Sequence, residues 1–282
     1  MKYYITFFII IFTTSVESYP KILTIKENSN YLLVNEKSLP IIDINILFNF
    51  GSKNDLSQKG ITNFSVELLH QQKYKNKKFI NTFEEIGAQF SSSVSRESTS
   101  ISIRFINTEK NLTIISSMLG KMLSNKDISN ETFELTKESI LKNIKARELD
   151  PSSILSYKSN EEYFSNTNLS HPINGYEENI IKISIDDIKQ HLISLITQNG
   201  IKVSFVGDID NSQAANFISN LLVDIPNDHK KIVDTELNNL NVASKTINFK
   251  HDSEQTHISI MIPAVTREDD DFYNLLVANY IF

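Results

Sequence analysis

Residues 41–50 read Ile-Ile-Asp-Ile-Asn-Ile-Leu-Phe-Asn-Phe. Ile42, Ile44, Ile46, Phe48 and Phe50 share one side of an extended chain, with Asp43, Asn45 and Asn49 opposite. This period of two predicts a strand with one buried face. Gly51-Ser52-Lys53-Asn54-Asp55 then turns the chain. Ile61, Phe64, Leu68 and Leu69 recur at helical spacing, predicting a helix over about 58–72. Further out, a helix over Phe79–Ile86 ends at Gly87, a residue suited to a C-cap. Two alternating stretches follow, Phe90–Arg96 and Ser98–Phe105, the second with Ile101, Ile103 and Phe105 inward. The serines of SSSVSRESTS read as the solvent face of a hairpin.

From about 108 to 197 the pattern is mostly helical. Leu112, Ile115, Met118, Leu119 and Met122 form one stripe. Phe133–Arg147 forms another, closed by Asp150-Pro151 because a residue before proline avoids the helical region, and Ile185–Ile196 is a third. Ile201–Val206 returns as a strand running into Gly207-Asp208, and Asn211–Leu222 is a helix. The polar stretch 226–244 reads as a linker. Beyond it Ile258, Ile260 and Ile262 alternate as Ile44, Ile46 and Phe48 do, and Asp269 opens an acidic turn before the apolar helix FYNLLVANYIF. The echo predicts a first domain over 19–237 and the truncated start of a similar one over 238–282, too short to bury a core of its own.

With 40% hydrophobic and 22% charged residues in 282, the composition is globular. Only 7 Gly and 6 Pro exclude collagen-like and low-complexity chains. A net charge of −6 lacks the basic footprint of a nucleic-acid binder. The absence of Cys excludes disulfides, thiolate metal sites and a lipid-bearing Cys. At the start, Lys2 precedes the apolar run Tyr3–Phe12 and the small-residue stretch TTSVES, the pattern of a signal peptide over residues 1–18. The run is too short to span a bilayer, which takes about 20 residues. A mitochondrial presequence would be Arg-rich, and this segment has no Arg. The expectation is an exported chain, periplasmic in a bacterial host, with no transmembrane span.

Several short stretches occur in a fixed order: Phe50-Gly51-Ser52, Gly60-Ile61, Glu85-Ile86-Gly87-Ala88, Asp150-Pro151, His171-Pro172 with Gly175, and Val206-Gly207-Asp208. In that order, from about Tyr31 to Phe282, the sequence resembles the pitrilysin/insulinase family of zinc peptidases, the inverzincins, which include mitochondrial processing peptidase-like chains. The resemblance implies an α+β fold, helices layered on a mostly antiparallel sheet, repeated in two similar domains that form half of a chamber around peptides. The family's chemistry rests on H-x-x-E-H, two His sharing zinc on one helical face with a Glu acting on the bound water. A Glu on a later helix completes the metal shell.

The matching stretch here is Asn63-Phe64-Ser65-Val66-Glu67. Asn63 stands for the first His, Val66 for the base and Glu67 for the second His, and the later ligand falls near Lys142-Asn143. No H-x-x-E-H occurs among the 6 His. The resemblance is thus to a non-catalytic member, with no catalytic residue and no cofactor of its own. It implies the chamber-completing or substrate-enclosing subunit of a heterodimer, with zinc in a homologous peptidase partner and peptides as the substrate of any proteolysis. The alternative is a stand-alone peptide-binding or scaffold protein; a third reading is an enzyme with an unfamiliar metal site.

Other patterns read more plainly. Glu67 and His70 have the spacing of a di-iron helix but lack a matching second helix, so a solvated helix end is the simpler reading. His251 and His257 are two ligands at most. Lys73, Lys75, Lys77 and Lys78 read as a solvated loop. Asp269-Asp270-Asp271 lacks the spacing of a calcium loop and suits a helix N-terminus. The lone Gly207 before Asp208 is too little for a nucleotide loop.

Overall fold

A computed structural model describes residues 25–28, 31–227, 244–252 and 254–281. The expected signal segment 1–18, the boundary at 237 and the 228–243 part of the linker lie outside them. At the centre is β3 (Ile41–Phe48), whose residues 42, 44, 46 and 48 are all buried as the alternation predicts. On one side it pairs antiparallel with β7 (Thr99–Ile106), which pairs in turn with the edge strand β6 (Gln89–Val94). On the other it pairs antiparallel with β8 (Ile201–Gly207), so Ile44 lies between Ile103 and Phe205. Beyond β8 come β2 (Tyr31–Asn35), the one parallel neighbour, and β1 (Ile25–Asn28), giving the order β1-β2-β8-β3-β7-β6. Ser91 and Ser93 face solvent, as the serine pattern predicts.

Helices cover the buried face, and most begin on a side-chain cap. Thr108 opens α3 (Glu109–Ser124), Ser129 opens α4 (Asn130–Arg147), Ser184 opens α7 (Ile185–Leu195) and Asp210 opens α8 (Asn211–Leu222). Each accepts a backbone N–H from the first turn, which supplies a partner the helix cannot. The first helix, α1 (Ile61–Gln71), starts three residues later than predicted. Gly60 holds φ 95, a left-handed conformation that ends any helix begun before it. Its apolar side buries Phe64 and Leu68, and Phe64 stacks on Phe133 of α4 at 5.1 Å.

Two helices escaped the pattern reading, the short α6 (Glu177–Ile180) and the longer one before it. Asp150-Pro151, taken as the stop of α4, also starts α5 (Pro151–Tyr163). The Asp150 carboxylate accepts from Ser153 N, and Pro151 at the first helical position loses an N–H that would have no partner there. Because α5 has no buried residue, it carries no apolar stripe to read. A second correction concerns Ile258, Ile260 and Ile262. They form no strand and are 79%, 84% and 74% exposed, since no strand among the described residues lies alongside to take their backbone hydrogen bonds. The apolar helix does form, as α9 (Phe272–Ile281), with Tyr273, Leu276 and Val277 exposed. Among the described residues no helix is long and apolar enough to cross a membrane.

The loop after α5 is locked to the start of α1 by backbone contact. Gly175 has φ 72, and a Cβ there would meet Lys59 O at 2.2 Å and Gly60 Cα at 2.8 Å. Gly87 after α2 (Phe79–Glu85) has nearly the same φ, 71, but nothing within 4 Å. Gly87→Ala is therefore expected to lose only ~1–2 kcal/mol, the cost of a left-handed L-residue. Gly175→Ala must also displace backbone and is expected to lose well over twice that in a urea denaturation series.

Candidate functional site

Helices α1 and α4 face each other and leave a cleft of about 360 Å³ between them. From α1, Asn63, Glu67 and Gln71 stand one turn apart on one face, about 80° around the helix from the buried Phe64 and Leu68. From α4 come Thr136, Ser139 and Asn143, and Asn174 closes one end. The structure thus brings together Asn63 and Glu67, as their spacing requires. It also separates the two candidates for the later position. Asn143 lines the cleft, whereas Lys142 is exposed and lies 3.8 Å from Glu138 of its own helix. Lys142 is therefore no part of the site, because one helical step turns it by about 100° from its neighbour. Val66 turns inward, only 5% exposed.

A buried polar cluster fixes the start of α1. Asp55 Oδ2 accepts from Gly60 N at 2.7 Å and from His171 Nε2 at 3.0 Å, and Oδ1 accepts from Thr62 N at 3.0 Å. Asp55 and His171 are 3% and 2% exposed. A carboxylate at a helix N-terminus satisfies orphan N–H groups and meets the positive end of the dipole. Thr62 Oγ1 lies 2.8 Å from His191 Nε2 on α7. Pattern reading missed this cluster. Asp55 reads as a turn residue, and its partner His171 lies 116 positions away.

Burial pushes the His191 imidazole below its ordinary value, against the smaller opposing pull of Asp55. Its folded pKa lies below its unfolded one. The contribution to stability is therefore whole above about pH 6.5 and is lost as pH falls through the folded value, since the unfolded chain takes the proton first. The unfolding free energy read by urea denaturation is expected to fall between pH 7 and pH 5.5, by at most about 1.4 kcal/mol per pH unit from this group. His191→Gln, which can still bond Thr62, should flatten that slope.

Residues 31–176, just over half of the chain, match the family described as Insulinase (Peptidase family M16). The chain belongs to the insulinase family. Residues 182–282 match a second family description, the peptidase M16 inactive domain. Among curated relatives, this insulinase-family chain is 20% identical to the uncharacterized zinc protease YmxG of Bacillus subtilis over 261 residues, 92% of this chain and 62% of that one. It is 24% identical to the non-peptidase homolog YmxG of Helicobacter pylori over 191 residues, 67% of this chain and 44% of that one. The chain therefore spans less than two thirds of the length of either. Among solved structures, a peptidase M16 inactive domain from Pseudomonas fluorescens matches with TM-score 0.72 at 16% identity, covering 76% of this chain and 53% of that one. The ferredoxin protease FusC, solved with Arabidopsis ferredoxin, matches with TM-score 0.68 at 15% identity, covering 76% and 25%. These likenesses show a shared fold.

A zinc ion does not fit the insulinase-family cleft in this chain. Zinc takes His, Cys or carboxylate ligands, and Glu67 is the one such residue lining the cleft. Among the described residues, no three His, Asp or Glu side chains stand close enough to hold a metal. The remaining sequence candidates are dispersed. His70 bonds Ser92 Oγ on β6 and meets Phe90 edge-on, and its burial lowers the ring's pKa against the smaller opposing pull of Glu67. His251 and His257 lie on an exposed, unpaired segment. Lys73, Lys77 and Lys78, on the small hairpin β4 (Lys73–Tyr74) and β5 (Lys77–Lys78), are engaged with Glu131, Glu85 and Gln71. Asp271 N donates to Asp269 Oδ1 at the start of α9. Asp208 N donates to Ile41 O, part of the strand framework rather than a phosphate loop.

Proposed function

We propose that this chain is an exported, non-catalytic insulinase-family subunit that completes a peptide-enclosing chamber with a zinc-bearing homologue. The observation that carries the reading is the α1–α4 cleft, lined by Asn63, Glu67 and Asn143, residues that the resemblance aligns with the family's ligands. In this reading the lining keeps two facing helices but offers a single carboxylate, which suits a subunit whose partner supplies the zinc. The relatives described as a non-peptidase homolog and as an inactive domain support the same direction. The apolar run after Lys2 supports export.

The enclosing role would use the edge strand β6. Its outer backbone groups are unpaired among the described residues, and an extended peptide can add there as a further strand. That same edge favours the second reading, a peptide-binding protein that works alone. Native mass spectrometry of the endogenous protein from periplasmic extract separates the two. A heterodimer with a zinc-loaded chain bearing H-x-x-E-H, active on unfolded peptides only when both chains are present, is the expected result. A lone metal-free species that binds peptides without cutting them overturns the partner reading.

A further inference from the structure

The cleft between α1 and α4 is lined by polar side chains, of which Asn63 and Asn174 are half-buried and Glu67, Ser139 and Asn143 exposed. Asn63, Glu67, Ser139, Asn143 and Asn174 all line it. Among the described residues their side chains form no hydrogen bond or ion pair with protein groups. Other polar groups nearby are committed: Thr136 Oγ1 donates to Thr132 O at 2.8 Å, and Gln71 Oε1 accepts from Lys78 Nζ at 2.6 Å. Glu67 is the one charged residue on the wall. Its charge also acts on His70 one turn on, whose Nε2 bonds Ser92 Oγ rather than the carboxylate.

We propose that this cleft binds a primary ammonium group of a polypeptide, carried at its amino terminus or on a lysine side chain. An ammonium has three N–H donors and no acceptor. Glu67 supplies the counter-charge and one acceptor, and the side-chain oxygens of Asn63, Asn143 and Ser139 supply neutral acceptors around it. Phosphates and carboxylates are disfavoured by the Glu67 charge, and among the described residues no three His, Asp or Glu side chains stand together to hold a metal. At one end of the cleft Lys78 already makes such a contact, its ammonium held by the Gln71 carbonyl. The inference rests on the cleft alone and is independent of whether the chain works with a partner.

The test is isothermal titration of the full chain with three tetrapeptide amides at low ionic strength. One is tetra-alanine with a free amino terminus, one is acetyl-Ala-Lys-Ala-Ala, and one is acetylated tetra-alanine. At least one ammonium-bearing peptide is expected to bind tenfold or more tightly than the acetylated alanine peptide, and which one does so identifies the source. Glu67→Gln is expected to lose that advantage, whereas Glu134→Gln, on α4 outside the cleft, keeps it. Circular dichroism checks that both variants are folded. Equal binding of all three peptides, no binding by any, or full retention in Glu67→Gln overturns the proposal.

Discussion

The triple variant N63H/E67H/N143E is expected to take up close to one zinc ion per chain, where the natural sequence retains almost none after dialysis against a weak chelator. Asn63 and Glu67 are one helical turn apart on α1 and face the cleft, so imidazoles there stand in the geometry that two His need to share a metal. Asn143 faces them from α4, and a carboxylate at that position supplies the third ligand, leaving the fourth place to water. The comparison that makes this decisive is N63H/E67H/K142E. Lys142 projects to solvent beside Glu138, so its replacement adds a carboxylate outside the cleft. That variant is expected to bind zinc at least tenfold more weakly, as read by competition with a chromophoric chelator. Equal affinity for the two would show that α4 is rotated relative to the arrangement described above. Neither variant should hydrolyse peptides, because Val66 can take no proton and lies turned into the core.

Asp55→Ala is expected to lower stability by ~3–5 kcal/mol, the range for removing one partner of a buried, hydrogen-bonded charge. Three donors lose their acceptor at once: the amides of Gly60 and Thr62 and Nε2 of His171. For a chain of this size the melting temperature should fall by at least ~6 °C, at 2–4 °C per kcal/mol. His171→Ala removes one of the three contacts and should cost less. Combining the two should be less than additive by about 1 kcal/mol, because the second change removes a contact already lost. A loss below about 1 kcal/mol for Asp55→Ala would mean that water replaces the carboxylate with little penalty, despite the burial of the site.

The parts of this fold legible in the sequence are those whose burial is one-sided and local. The alternation at Ile42–Phe48 and Ile101–Phe105 and the stripe of α8 each follow from packing one face of an element against a continuous core. Where that condition fails, so does the reading. α5 buries no residue fully, β2 is only five residues long, and Ile258–Ile262 alternates without a neighbour to pair with. The cleft was half legible. Helical spacing placed Asn63 and Glu67 on one face, but deciding between Lys142 and Asn143 needed the rotation of a second helix. The Asp55–His171 contact was not legible at all, since nothing in either local pattern refers to the other.

The position of β8 in the sheet sets an order of events during folding. It lies between β2 and β3, so Tyr31 is registered with Val203, a parallel pairing across most of the domain. Strands β3, β7 and β6 can pair as soon as residue 106 is available, whereas β2 has no described neighbour other than β1 until β8 arrives. One side of β3 therefore stays open through the synthesis of α3 to α7. Long loop closure of this kind slows folding. A chain paused before residue 201 would present an apolar strand edge to whatever binds such edges, and so is the form in which a holding chaperone would find it.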